Sequence, residues 1–242
     1  MSDSAGVPWQ GRSFHANPGA GDDGSADPRL TEAIARFRAR ELGIAGVIPA
    51  VRAARLLVPL IAVRGDEGVG AHGQLVDKTQ ELSIVTVAGP DGRAVLPAFS
   101  SVTAMQRWDA RARPIPIEAP RVALAAAAEG TPLIVLDPGS EQMLGIRRPA
   151  LRALATGEAW TPAFEDEAVL QAFLATAADL PVRVIQLAPG DPDARLAAPE
   201  VLVQLAIEGD PAPTVRTLGE RWASDPLIAE RVDSIAVRVE RV

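Results

Sequence analysis

The clearest alternation of apolar and polar positions runs from Leu82 to Ala88, and its β-branched residues predict a strand. Gly89-Pro-Asp-Gly92 follows as turn chemistry, with proline fixing φ and glycine free to take a positive φ. Ala94 to Phe99 then returns as the second arm of a hairpin. Pro97 has no ladder donor, so that arm is expected at an edge or to end there. Ser100 or Ser101 caps a short helix with Met105 and Trp108 facing inward. Ile115 and Ile117 mark a brief strand. Pro120 opens a helix over 121–129, and Gly130 closes it. Leu133 to Leu136 is short and wholly apolar, as expected of a strand covered on both faces. Asp137-Pro-Gly-Ser140 turns the chain.

Upstream, residues 1–28 are rich in Gly, Pro, Asp and Ser, the composition of a flexible tail. Trp9 and Phe14 are out of character there. They suit docking onto the chain itself or onto a partner as well as they suit simple disorder. Asp27-Pro28 reads as a cap and first helical residue, and Leu30, Ile34 and Phe37 mark one face of a helix ending near Gly43. A second short helix is expected over 49–54. Leu56 to Val63 reads as a buried strand with Pro59 at an edge or bulge. Residues 64–77 form a glycine-rich acidic loop.

Downstream, Gln142 to Ile146 can pair with the strand before it. Pro149 opens a helix through Ala155 that Gly157 ends. Arg147, Arg148 and Arg152 at that helix start suit either a small anion site or a solvated, partly ion-paired face. Trp160-Thr-Pro162 reads as a boundary. Beyond it come a helix with Val169, Leu170, Phe173, Leu174 and Ala177 on its apolar face, strands over 182–187 and 201–207, a helix opened by Pro213, a helical turn at Leu227-Ile228, and a last strand over 234–239. The reading is therefore α/β (α+β): a tail over 1–28, a mixed-sheet domain over 29–160 and a smaller α-β-β-α-β domain over 161–242.

Composition narrows the chemistry. The chain has 242 residues, a formal charge of −7 and 48% hydrophobic residues, enough to bury a core. It has no cysteine and two histidines, His15 and His72, which turns expectation away from disulfides, metal sites and cysteine or histidine catalysis. No cofactor is expected. The acidic balance argues against nucleic acid. No apolar run reaches membrane-span length, and the N-terminus shows no signal-peptide pattern, so a cytoplasmic protein with no membrane partner is expected.

The run LPAFSSVTAMQRW, followed after a helix by LIVLDPGS, resembles the SseB family, named for enhanced serine sensitivity. Ala54 to Pro59, Asp77-Lys-Thr-Gln-Glu81 and Arg147 to Leu151 with Trp160 add to the likeness, which is strongest to its actinobacterial branch and over residues 50–160. The resemblance implies a mixed α/β fold in two parts in the cytoplasm, and it brings no family activity with it.

Two functions are open. One is a non-catalytic interaction or regulatory protein with a protein partner, for which Trp9 and Phe14 are candidate contacts. The other is a small-ligand binder or enzyme using Asp77, Lys78 and Glu81 at the mouth of a strand, with Asp137 and Ser140 of the turn. Lys78 is the chain's one lysine. Between Asp77 and Glu81 it reads as a local tie or as a ligand contact. The turn also has a plain reading as turn chemistry. Catalytic and metal residues: none.

Overall fold

Asp27 caps the first helix of the computed structural model, which describes residues 21–62, 82–131 and 133–241. Its carboxylate accepts from the Arg29 N–H at 2.8 Å, and Pro28 supplies the first turn. Helix α1 (Pro28–Arg38) buries Leu30, Ala33, Ile34 and Phe37. Helix α2 (Ile44–Ala53) starts a turn and a half earlier than expected, so Pro49 lies inside it rather than at its head. Proline there removes one helical donor, a loss offset by the burial of Val47, Ile48 and Val51 on the same helix.

Two sheets follow. In the first, β1 (Arg55–Ala62) lies between β2 (Leu82–Ile84) and β5 (Arg113–Glu118), all antiparallel. Pro59 faces Pro114 with no bulge in the register. The second has the order β3-β4-β6-β7, from β3 (Val87–Ala88), β4 (Ala94–Ala98), β6 (Ile134–Leu136) and β7 (Leu144–Ile146), with β4 and β6 parallel. The alternating run 82–88 thus divides between two sheets, because alternation fixes a strand's faces and not its partner.

Pro97 and Pro59 are both in central strands, which corrects the expectation of edges, though each is locally at one. The Leu96 N–H points to β6, donating to the Leu133 carbonyl, so the Pro97 nitrogen points the other way. On that side β3 has stopped at Val95, and only the bridge between Leu57 and Phe99 comes next. Pro59 sits on the far side of the same bridge, before β2 pairing begins at Leu60. That bridge, with N–H···O distances of 2.8 and 2.9 Å, joins the two sheets.

Ser101 caps α3 (Val102–Trp108), its hydroxyl accepting from the Ala104 N–H at 3.1 Å. Helices α4 (Ala119–Ala128) and α5 (Arg148–Thr156) complete the first core, with Val122, Ala126, Leu151 and Leu154 packed on Leu56, Leu96, Ile134 and Leu144. Gly157 ends α5 in the left-handed region at φ 80°, as its glycine predicts.

The third sheet comes wholly from residues after 181. Its order is β10-β9-β8, from β8 (Val182–Pro189), β9 (Val201–Ile207) and β10 (Ile235–Arg241), with β10 parallel to β9. Helices α6 (Glu167–Thr176), α7 (Pro211–Ser224) and α8 (Pro226–Arg231) pack Val169, Phe173, Leu218 and Trp222 onto Val201, Val203, Leu205 and Ile207. Leu174, expected on the buried face of α6, is exposed. The α/β architecture is as the sequence pattern predicts. Trp160 packs against the first core, and Ala163 belongs to the core of the third sheet. Among the described residues no helix is long and apolar enough to cross a membrane.

Candidate functional site

Arginines tie the C-terminal sheet and its loops to the first core. Arg147 stands between β7 and α5 and is 7% exposed. One terminal nitrogen donates to Asp233 Oδ2 and Ser234 Oγ, each at 3.1 Å. The other donates to Asp191 Oδ2 at 2.8 Å and to the Ala198 carbonyl at 2.6 Å. Arg93, from the β3–β4 turn, holds the same Asp233 with two bonds of 3.1 and 2.9 Å. Arg148 donates to the carbonyls of Ala229, Glu230 and Val232, which the end of α8 leaves without helical partners. The sequence reading of Arg147 as part of an anion site or a solvated face is corrected: its charge is buried and fully engaged by carboxylates of the other half. Arg148 likewise reaches that half, through backbone oxygens.

Asp191 organises the loop between β8 and β9. It accepts from the N–H groups of Arg195 and Leu196 as well as from Arg147. The loop carries Ala194 at φ 48° and Leu196 at φ 56°, the left-handed region in which non-glycine residues are strained. Its tip closes on β7, where the Gly145 N–H donates to the Ala194 carbonyl at 2.6 Å. A Cβ at Gly145 would lie 2.7 Å from Leu196 Cγ, so glycine is required for this approach. Arg38 and Arg40 hold the same loop, donating to Asp193 O and Pro192 O.

Two buried carboxylates of this network titrate in opposite directions. Burial works to raise Asp233, but the hydrogen bonds and charges of Arg93 and Arg147 outweigh it and hold the carboxyl below its ordinary value. Burial pushes Glu200 up to about 7, against the lowering bond from the Asp233 N–H to Oε2 at 2.6 Å. The Asp233 charge adds to the rise, and the more distant Arg147 and Arg148 oppose it. Among the described residues Glu200 joins no ion pair, while Asp191 and Asp233 each have a guanidinium at 3.1 Å or closer.

Above this network lies a cleft of about 500 Å³. Phe37, Leu42, Ile48, Trp160 and Phe164 supply apolar wall, and Arg147, Asp191 and Glu200 supply polar floor. A concave apolar site with few convergent polar groups and a perturbed carboxyl is the usual form of a ligand site.

The residues singled out from sequence are elsewhere. Trp9, Phe14, Asp77, Lys78 and Glu81 lie outside the described residues. Asp137, at φ 48°, is buried at the end of β6, and its two oxygens accept from the Ser100 N–H at 2.8 Å and the Ser100 hydroxyl at 2.7 Å. Burial raises its carboxyl, and the Ser100 bonds oppose the rise. The pair ties the ends of parallel strands β4 and β6. Ser140 accepts from the Gln142 N–H at 3.1 Å within the turn and borders a second cleft with Asp137, Trp108 and Arg107. The polar floor of the first cleft escaped sequence reading because Asp191 and Asp233 are 44 and 86 residues from Arg147. One signal was present: two adjacent arginines at a helix N-terminus oppose the helix dipole, which is tolerable when carboxylates hold them.

Among the described residues no group of three or more His, Cys, Asp or Glu is placed to hold a metal ion. No curated protein and no solved structure matches the chain. Residues 30–153 match the family model of the SseB protein N-terminal domain. That span takes in β1 to β7, α2 to α4 and most of α1 and α5, including Arg93, Arg147 and Arg148 of the network, and on this match the chain belongs to the SseB family.

Proposed function

We propose that this SseB-family chain is a non-catalytic binding protein that takes a small ligand into the cleft over Arg147, Asp191 and Glu200. The observation that carries the reading is the cleft itself, whose volume of about 500 Å³ falls in the range of small-molecule sites. Its cations are already engaged: Arg147 with Asp191 and Asp233, Arg40 with Asp193. Groups committed in this way shape a pocket and fix its polarity; they are poorly placed to exchange protons with a substrate. Of the two functions that the sequence leaves open, this is the ligand-binding one, moved from the Asp77–Glu81 and Asp137–Ser140 regions to the seam between the first core and the third sheet. A regulatory role in the cytoplasm fits it, with ligand occupancy strengthening or loosening the arginine ties.

The test is calorimetric titration with 2-phenylethanol, indole and 2-phenylethylamine, small probes that fit the cleft. Leu42 is half-buried on its wall, so Leu42→Gln places an uncharged polar group in the apolar lining without opening the core. At least one probe is expected to bind, and Leu42→Gln to weaken it about tenfold, the effect of roughly 1.4 kcal/mol of lost apolar contact and added desolvation. Absence of binding by all three, or binding indifferent to Leu42→Gln in a variant with unchanged circular dichroism, refutes the reading.

A further inference from the structure

The charges around the cleft do not cancel. Arg147 spends all four of its observed hydrogen bonds on Asp191, Asp233, Ser234 and Ala198. Arg40 is bound to Asp193 and to the Pro192 carbonyl. The carboxylates facing the cavity are differently placed. Glu200 is 6% exposed and lines the floor; its Oε2 accepts from the Asp233 N–H, and among the described residues its Oε1 accepts no hydrogen bond. Glu165 stands at the rim and joins no ion pair among the described residues. Glu41, also at the rim, has only a 3.9 Å approach from exposed Arg36. Among the described residues Glu200 is the buried carboxylate of the network with which no guanidinium forms an ion pair, and it lines the cavity.

The walls suit the same kind of charge. Phe37, Trp160 and Phe164 all contribute to the lining. Aromatic faces carry negative quadrupole density and attract ammonium groups, most strongly where water is excluded. An anion would meet Glu41, Glu165, Asp191 and Glu200, while the lining guanidinium groups, Arg40 and Arg147, are already paired. A neutral apolar molecule would leave Glu200 as unpaired as before.

We propose that the ligand of this cleft is a small organic cation, an ammonium group on an apolar or aromatic body, with the ammonium against Glu200 and the body against the aromatic wall. The proposal rests on the cleft being the binding site. Glu200 is faced by Arg147 and Arg148 from the start of α5 and by Asp233 from the segment before β10, with Asp191 beyond Arg147. Of the floor carboxyls, Glu200 is the one that burial raises into the window between pH 6 and 8.

The experiment compares three molecules with one body and different heads: 2-phenylethylamine, 2-phenylethanol and 3-phenylpropanoate. Titrations of the full chain at pH 6, 7 and 8 are expected to rank the amine first by at least tenfold and the carboxylate last. The amine's affinity should rise about tenfold from pH 6 to pH 8 as the floor carboxyl ionises near pH 7, while the alcohol's stays level. In Glu200→Gln the pH dependence should vanish and the amine's advantage fall to about twofold. Equal binding of alcohol and amine, or tighter binding of the carboxylate, overturns the cationic ligand and leaves the cleft reading standing. Failure of all three and of indole to bind, or binding unmoved by Leu42→Gln, overturns both.

Discussion

Replacing Glu200 by glutamine isolates the cost of burying its carboxyl. Glutamine keeps the shape and can still accept the Asp233 N–H, so the substitution removes the titration and little else. Glu200 goes from 4.5 in the unfolded chain to about 7 when folded. A carboxyl raised in the folded state carries no penalty below pH 4.5, where both states are protonated. The penalty grows as the unfolded state alone ionises, and levels off above pH 7. Integrating the linkage relation between these two values gives about 0.8 kcal/mol at pH 5 and about 3.3 kcal/mol at pH 8. Glu200→Gln should therefore gain about 2.5 kcal/mol on the parent protein between pH 5 and pH 8. Urea unfolding followed by circular dichroism at pH 5, 6, 7 and 8 measures this, with the difference between the two proteins as the readout. Other carboxyls titrate in both proteins and cancel. A difference that is flat with pH, or that favours the parent as pH rises, refutes the account of Glu200 as a buried carboxyl without a cation.

Arg147→Ala should cost about 3–5 kcal/mol, because it leaves Asp191 and Asp233 buried with less or no counter-charge; Arg147→Lys should recover only part, since one ammonium cannot span both carboxylates as the planar guanidinium does. Equilibrium unfolding checks both, and a loss below about 1 kcal/mol in Arg147→Ala refutes a shared buried tie. We also propose that residues 161–242 form a unit that folds by itself. Expressed alone, this segment should melt cooperatively, but below the parent's melting temperature, for want of Arg93 and Arg147; a non-cooperative melt sinks the division.

What the sequence made legible was local. Asp27-Pro28, Ser101, Gly92 and Gly157 each specify a cap or turn through their own side chain or its absence, and the structure uses each in that way. The C-terminal order of helices and strands was readable because Val169, Phe173, Leu218 and Trp222 keep helical spacing while 201–207 is a mostly apolar run of strand length. Pairings over distance were not readable. The strand pattern over 82–88 carries no mark of the change of sheet after Ile84, and Pro49 looks like a helix start because propensity does not register the burial of Val47 and Val51. The cleft is the clearest case. Glu200 is an ordinary glutamate beside a proline in sequence, and it becomes unusual only when the chain brings Asp233 against it and no arginine close enough to pair.

The bridge between Leu57 and Phe99 has a mechanical meaning. Each of the two N-terminal sheets resists shear with a ladder of hydrogen bonds, but among the described residues that pair is the one set of backbone bonds that spans the two sheets. Pro59 and Pro97 flank it, and neither can offer a donor to lengthen the ladder. The two sheets therefore work as separate plates with a single rivet. A displacement that begins in β6 and β7, beside Arg147 and the cleft, reaches β1 through side-chain packing and one backbone pair, so distortion at the site is absorbed at the seam before it spreads to β2 and β5.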